Sequence, residues 1–266
     1  MRAERYFQTE VSSGWPTIAG QFKLMRFFLI LLCVLPVALR AQVGVTTFGF
    51  QIKPIIPFSF LDPVLELNDN GSLSGSYELK GGLSFGMVIR VGLTKSLSIE
   101  TGISQIRRRY NWQIMNDTAG YNESSELRWT GYELPVKALV YIRMTERIYM
   151  NNALGFSVDM YPSNVVRNVE DGQAFMYRSK NSWAQLGVVA NVGAEYRTDK
   201  SGIIYLGATL HRPFTDMARA QLVWQDENLT PYPFEDAMNG SYLTIDIRYF
   251  FHEDPDKLKL RKSRGK

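Results

Sequence analysis

The side chains best suited to moving protons are His211 and the carboxylates that follow it, Asp216, Asp226 and Glu227, with Arg212 beside them. An imidazole next to a carboxylate can serve as general acid and base where substrate reaches both groups. The only other histidine is His252, and the only cysteine, Cys33, lies in a segment expected to be removed. A mature chain without cysteine has neither a thiol nucleophile nor a thiolate-ligated zinc site. No nucleophile elbow, zincin helix motif, phosphate loop or dinucleotide fingerprint occurs. The expectation is a chain that is not an enzyme and binds neither cofactor nor metal. A rim enzyme acting on lipid or peptide through His211 is the alternative.

A second set of ionisable residues has another kind of spacing. Arg90, Glu100, Glu133, Lys137, Asp159, Glu195, Asp246 and Arg248 each occupy the polar side of a stretch that alternates apolar and polar residues. Gly86, Gly102, Gly155, Gly187, Gly193 and Gly207 share that side. In a strand, alternate residues face opposite ways, so these charges and glycines belong to one surface and the apolar residues to the other. The stretch 132–142 is typical: Tyr132, Leu134, Val136, Ala138, Val140 and Ile142 oppose Glu133, Pro135, Lys137, Leu139 and Tyr141.

Eight such stretches are legible, at 46–56, 82–93, 97–104, 132–142, 147–160, 183–196, 203–212 and 241–251. Most are long enough to cross a bilayer at a tilt, which takes about 9–11 residues. Their connections alternate. Those at 94–96, 144–146 and 198–202 are brief, whereas 57–81, 114–126, 161–182 and 213–240 are long and polar. An even strand count with every long loop at one end is the pattern of an outer-membrane barrel. The predicted fold class is all-β, an eight-stranded antiparallel transmembrane β-barrel with four long extracellular loops and short periplasmic turns. In a soluble ligand-binding barrel, the further alternative, the apolar side would face inward and the charges outward. Eight strands enclose room for side chains only, so a nonspecific pore is excluded and the charges are expected to pair across the lumen.

The ends of the chain fit secretion. From Met25 a short basic start leads into the apolar run 27–39 and the small residue Ala41, the layout of a cleaved signal. That run is too short for a spanning helix, which needs about 20 residues. Residues 1–24 read as an upstream misassigned start, 25–41 as the signal peptide, 42–251 as the barrel and 252–266 as a basic periplasmic tail. A chain beginning at Gln42 would carry 25 basic and 24 acidic groups, and six of the basic ones lie in the last ten residues. The high pI therefore describes a tail, and no nucleic-acid partner is expected.

The strand TYELPVKALVY and the early strand FGFQIKPIIP, following a signal that ends in Ala-Gln, resemble the PorT-like outer-membrane β-barrel family over about 42–251. The resemblance implies an eight-stranded barrel in the outer membrane of a Gram-negative cell, with a link to type IX protein secretion in some members and no catalytic residues to carry over. The last strand presents Leu243, Ile245, Ile247, Tyr249 and Phe251 in one row, similar to the closing signal read by barrel assembly machinery. In the fourth loop Trp224, Tyr232 and Phe234 are candidates for binding a protein or glycan partner. Tyr110, Trp112, Trp129, Tyr132 and Trp183 fall where an outer aromatic belt would lie. Arg107, Arg108 and Arg109 would meet lipopolysaccharide phosphates at the outer leaflet, with at least one of the three turned into the lumen. Expected partners are thus outer-membrane lipid and lipopolysaccharide, the assembly machinery and proteins of a secretion system. The expected role is an interaction or assembly component.

Overall fold

A computed structural model of the chain describes residues 46–57, 64–69, 73–94, 96–162, 165–168, 174–180, 182–228 and 230–252. The expected upstream segment, the signal peptide and all but His252 of the basic tail lie outside the described residues.

Eight strands close into one antiparallel ring. In chain order they are β1 (Thr46–Ile56), β3 (Leu73–Gly92), β4 (Leu97–Asn116), β5 (Tyr121–Arg143), β6 (Ile148–Met160), β9 (Ala184–Arg197), β10 (Ile203–Pro213) and β13 (Tyr242–Phe250). Each pairs with the next, and β1 pairs with both β13 and β3, which leaves the ring without an edge. Closure satisfies the backbone groups internally, the condition for crossing hydrocarbon. The three turns at the lower end use one device. The hydroxyls of Thr94, Thr145 and Thr198 accept backbone N–H bonds from residues two or three positions on, at 2.9–3.3 Å. Such side-chain turns need only a few residues, which keeps this end short.

The upper end is built up rather than looped. The segment 114–126, expected as a long loop, is instead the tip of a β4–β5 hairpin whose strands run 20 and 23 residues and turn only at 117–120. The other three upper connections carry strands of their own: β2 (Val64–Asp69), β7 (Val165–Asn168), β8 (Ala174–Lys180), β11 (Ala218–Gln225) and β12 (Pro231–Met238). Of these, β2 extends the ring sheet beside β3, while the rest form a second sheet in the order β12-β11-β8-β7. A register shift between Leu79 and Gly81, with Gly81 at φ +121°, falls where β1 gives way to β2 as the partner of β3. The positive φ suits glycine and lets the strand bend away from the ring.

Polarity reverses along the long strands. On the lower part of β4 and β5, Ile99, Ile103, Val136, Val140 and Ile142 are exposed outward, while Glu100, Ser104, Glu133 and Lys137 are buried inside. Higher up, the outward side carries Arg107, Arg109, Glu126 and Arg128, and the buried side carries Tyr110, Trp112, Ile114, Leu127 and Trp129. One strand therefore obeys the rule for a lipid solvent over its lower half and the rule for water over its upper half.

Candidate functional site

The lumen is the natural place to look for chemistry, and its ionic side chains fall into a lower and an upper group beneath an apolar cap. Among the described residues, the buried ionic side chains are five cations (Lys53, Arg90, Arg108, Lys137, Arg248) and five acids (Glu100, Glu133, Asp159, Glu195, Asp246). Formal charge thus balances inside the tube, which offsets the cost of removing these groups from water.

The lower group centres on Glu100. Its Oε1 contacts Lys137 Nζ at 2.7 Å and Arg248 Nη1 at 2.6 Å, and its Oε2 accepts from Arg90 Nε at 3.2 Å and Nη2 at 3.0 Å. Arg90 extends to Glu195 at 2.8 Å, and Arg197 closes on the same carboxylate. Arg248 also pairs with Asp246, whose oxygens accept hydroxyl bonds from Thr209 and Thr244 at 2.6 Å. Aromatic faces complete the coordination: Arg90 lies 4.0 Å over Phe250, and Arg248 4.6 Å over Tyr205. Arg90 and Arg248 are thus each met by carboxylates and a ring, and Lys137 by the Glu100 carboxylate, which compensates their charge without water. Tyr205 fits because Gly193 and Gly207 lie beneath it, and a Cβ on either would collide with its hydroxyl.

The upper group joins Lys53 to Glu133 at 3.0 Å and His211 Nε2 to Asp159 Oδ2 at 2.8 Å. The Ser157 hydroxyl lies 2.9 Å from the same His211 nitrogen, and Tyr242 stacks on the imidazole at 4.6 Å between centroids. Serine and aspartate thus share one ring nitrogen. A nucleophile relay needs them on opposite nitrogens, and His211 is 0% exposed. The expected rim pairing of His211 with Asp216, Asp226 and Glu227 is accordingly corrected. The imidazole points into the lumen, Asp216 is exposed, and Asp226 accepts the backbone N–H bonds of Asn228 and Thr230.

Above this lies the cap. Arg108 enters the lumen as the alternation of the three arginines requires, lies 4.5 Å over the Tyr242 ring and donates to Gly240 O at 3.1 Å. Over it, Tyr77, Tyr110, Trp112, Leu127, Trp129 and Tyr161 pack against Met176, Ala220, Leu222 and Trp224 of the second sheet. Trp112, Ile114, Ala220 and Leu222 have no solvent exposure. Tyr110, Trp112 and Trp129 are therefore interior cap residues and not members of an outer aromatic belt, whereas Trp183 is exposed. Trp224, expected as a partner-binding side chain, is 8% exposed and packs on Tyr121 and Tyr232, so of that trio Tyr232 offers ring surface to solvent. The side chain of Phe234 lies outside the described residues.

All eight sequence-predicted lumen charges occur together here, with Lys53, Arg108 and His211 as further members. Lys53 and His211 already stood on the polar side of their stretches, so parity alone places them inside. Among the described residues, no group of acids and histidines has the arrangement of a metal site. In the closing strand Ile245, Ile247 and Tyr249 face outward, and Phe251, just beyond its end, is exposed as well. Phe251 packs edge-on against Phe50 of the first strand at 5.6 Å.

The model of the outer membrane protein beta-barrel domain matches residues 37–219. The chain belongs to that family. As such it resides in the outer membrane, which is why its apolar face points outward and its charges inward. The protein OprG of Pseudomonas aeruginosa has a similar structure at 9% identity, with 79% of this chain and 97% of that one covered and a TM-score of 0.51. AlkL in lipid bilayers matches at 10% identity over 80% and 93% of the two chains, with a TM-score of 0.40. The protease OmpT of Escherichia coli matches at 10% identity over 79% and 95%, with a TM-score of 0.35. No curated protein matches the chain.

Proposed function

We propose that this outer membrane β-barrel domain protein is an interaction or assembly component of the PorT-like type, linked to type IX protein secretion, which works through its outer sheet or its periplasmic tail. It conducts no solute and catalyses no reaction. The double closure of the lumen supports this reading: a charge-balanced network fills the tube from Arg90 to His211, and an aromatic core lies over it. A conduit through such a tube would break several buried ion pairs at once, at about 3–5 kcal/mol for each pair left half-made. Catalysis at His211 would require substrate to pass the same cap. What remains available is the water-facing part of the upper sheets, where Tyr232 is exposed, together with the closing strand whose outward row suits recognition by assembly machinery.

Two measurements test the proposal. In planar bilayers the purified full chain should give no unitary conductance, and steady ion-conducting events would overturn the closed-lumen reading. A photo-crosslinking side chain at Tyr232 should capture a defined protein of the secretion apparatus in intact cells, while one at lipid-facing Leu154 captures none. Identical capture from both positions, or none from either Tyr232 or the tail, would overturn the interaction role.

A further inference from the structure

The outer wall of the barrel carries an apolar groove directly below an uncompensated cluster of arginines. We propose that this wall is a binding site for a single lipid of the outer leaflet, a lipid A-type glycolipid bearing more than one phosphate, with an acyl chain in the groove and its phosphates on Arg107, Arg109 and Arg128.

The groove comes first. It is a shallow, open groove of about 640 Å³ on the membrane-facing side of β1, β3 and β4, between Phe50, Ile52, Phe85, Met87 and Ile103, and ends at Gln105 and Tyr132. Its walls are almost wholly hydrocarbon, which suits an extended acyl chain. Its upper lip is hydrogen-bonded in series: Arg107 Nε donates to Gln105 Oε1 at 3.1 Å, and Gln105 Nε2 donates to the Tyr132 hydroxyl at 3.3 Å. The Arg107 guanidinium also lies 5.2 Å over the ring of Phe85, one of the groove walls. Apolar groove and cationic rim are thus one continuous surface.

The height fits the outer boundary of the membrane. Arg107 stands ten positions beyond Leu97, where β4 begins at the lower turn. At about 3.3 Å per residue and a tilt of about 40°, that climb is about 25 Å, the height of the apolar band of such barrels. The reversal of polarity along β4 and β5 occurs at the same level.

The cluster then selects the headgroup. Arg109 pairs in register with Arg128, so two like charges face each other at about 5 Å between Cβ atoms, an arrangement that destabilises a bare sheet. Arg107 projects from the same face about 7 Å away. All three are exposed, and among the described residues none forms an ion pair. Two acids share this wall. Glu78 is occupied by Lys80 at 2.6 Å, and Glu126 stands two positions from Arg128 without a salt bridge to it. Three guanidinium groups exceed what one phosphodiester neutralises, whereas two phosphates on one headgroup match them by forked, charge-assisted hydrogen bonds.

The test uses the full chain purified in a non-ionic detergent, with bisphosphorylated lipid A and phosphatidylglycerol as probes in native mass spectrometry and competition titration. Wild type should bind one lipid A saturably. The triple variant Arg107→Ser, Arg109→Ser, Arg128→Ser should bind at least tenfold more weakly. Met87→Trp, which fills the groove from an exposed position, should weaken binding several-fold with the arginines intact. Heat-modifiable gel mobility checks that each variant is folded, and a triple variant that fails this check is replaced by the single Arg109→Ser. Unchanged affinity in the folded arginine and groove variants, or equal competition by phosphatidylglycerol, would overturn the assignment. Neither result bears on whether Tyr232 captures a secretion partner.

Discussion

Lys53 of the first ring strand and Glu133 of the fourth meet at 3.0 Å although their strands are not neighbours in the sheet. The contact is a strut across the lumen, and both side chains are almost wholly buried. Backbone ladders join only adjacent strands, so struts of this kind resist flattening of the tube. Replacing Glu133 by Gln leaves the ammonium half-compensated and should cost about 3–5 kcal/mol of stability. The double variant Glu133→Met with Lys53→Met should lie near wild type, because an apolar pair of similar volume replaces a buried ionic one at little net cost. Urea midpoints followed by heat-modifiable mobility would show the single variant lowest and the double variant near wild type.

Glu100 holds three cations, Lys137, Arg90 and Arg248, on two oxygens. Glu100→Gln removes the charge they share and should destabilise the barrel more than Glu133→Gln does. Glu195→Gln should be milder, because one of its two cations, Arg197, is about one-third exposed and can turn to water. The same unfolding assay should rank the three variants in that order, and a Glu195 effect larger than that of Glu100 would refute the central role given to Glu100.

The apolar outer face makes an equally direct claim. Leu154 is 63% exposed on the wall, and on the neighbouring strand Leu139 is buried in the lumen beside Tyr141 and Ala153. Leu154→Arg should destabilise by about 2–4 kcal/mol if it lies near the bilayer midplane. Leu154→Phe should be neutral, since lipid accommodates either side chain. Measured in lipid vesicles rather than buffer, a neutral Arg at this position would contradict the membrane-facing assignment.

The features legible in the sequence are those that depend on a period of two. Parity places Glu133 and Lys137 inside and Val136 outside, and eight runs of it imply closure. The cap was hidden for a physical reason. Above Arg108 the inward side of β4 turns apolar, with Tyr110, Trp112 and Ile114, while its outward side turns polar, because water replaces lipid outside. A search for outward apolar residues ends there and assigns 114–126 to a loop, although the alternation simply continues with its sense inverted. Lys53 and His211 carried the right parity, but their partners Glu133 and Asp159 lie on strands distant in sequence, and register across a lumen cannot be read from one strand at a time.

The inverted upper half should unfold on its own terms. Trp112 has no solvent exposure and sits among Tyr110, Leu127 and the second sheet. Trp112→Ala should remove about 3–5 kcal/mol of cap packing. The ring below keeps its ion pairs, so heat-modifiable mobility should persist while the second sheet becomes sensitive to protease added outside whole cells. Loss of the folded barrel band in this variant would show instead that cap and ring form a single cooperative unit.

The bed beneath Tyr205 supplies the sharpest packing test. Its hydroxyl donates to Asn191 Oδ1 at 2.7 Å and its ring lies under Arg248, an arrangement open only because Gly193 and Gly207 lack side chains. Gly207→Ala should displace the tyrosine and also press on the Val192 carbonyl, costing about 1–3 kcal/mol. Tyr205→Phe alone loses one hydrogen bond of about 1 kcal/mol. If the methyl group acts mainly through the hydroxyl, the two changes together should cost less than their sum, with a coupling on the order of 0.5–3 kcal/mol. Strict additivity would show that the backbone contact carries the penalty and that the glycine serves strand approach rather than the tyrosine.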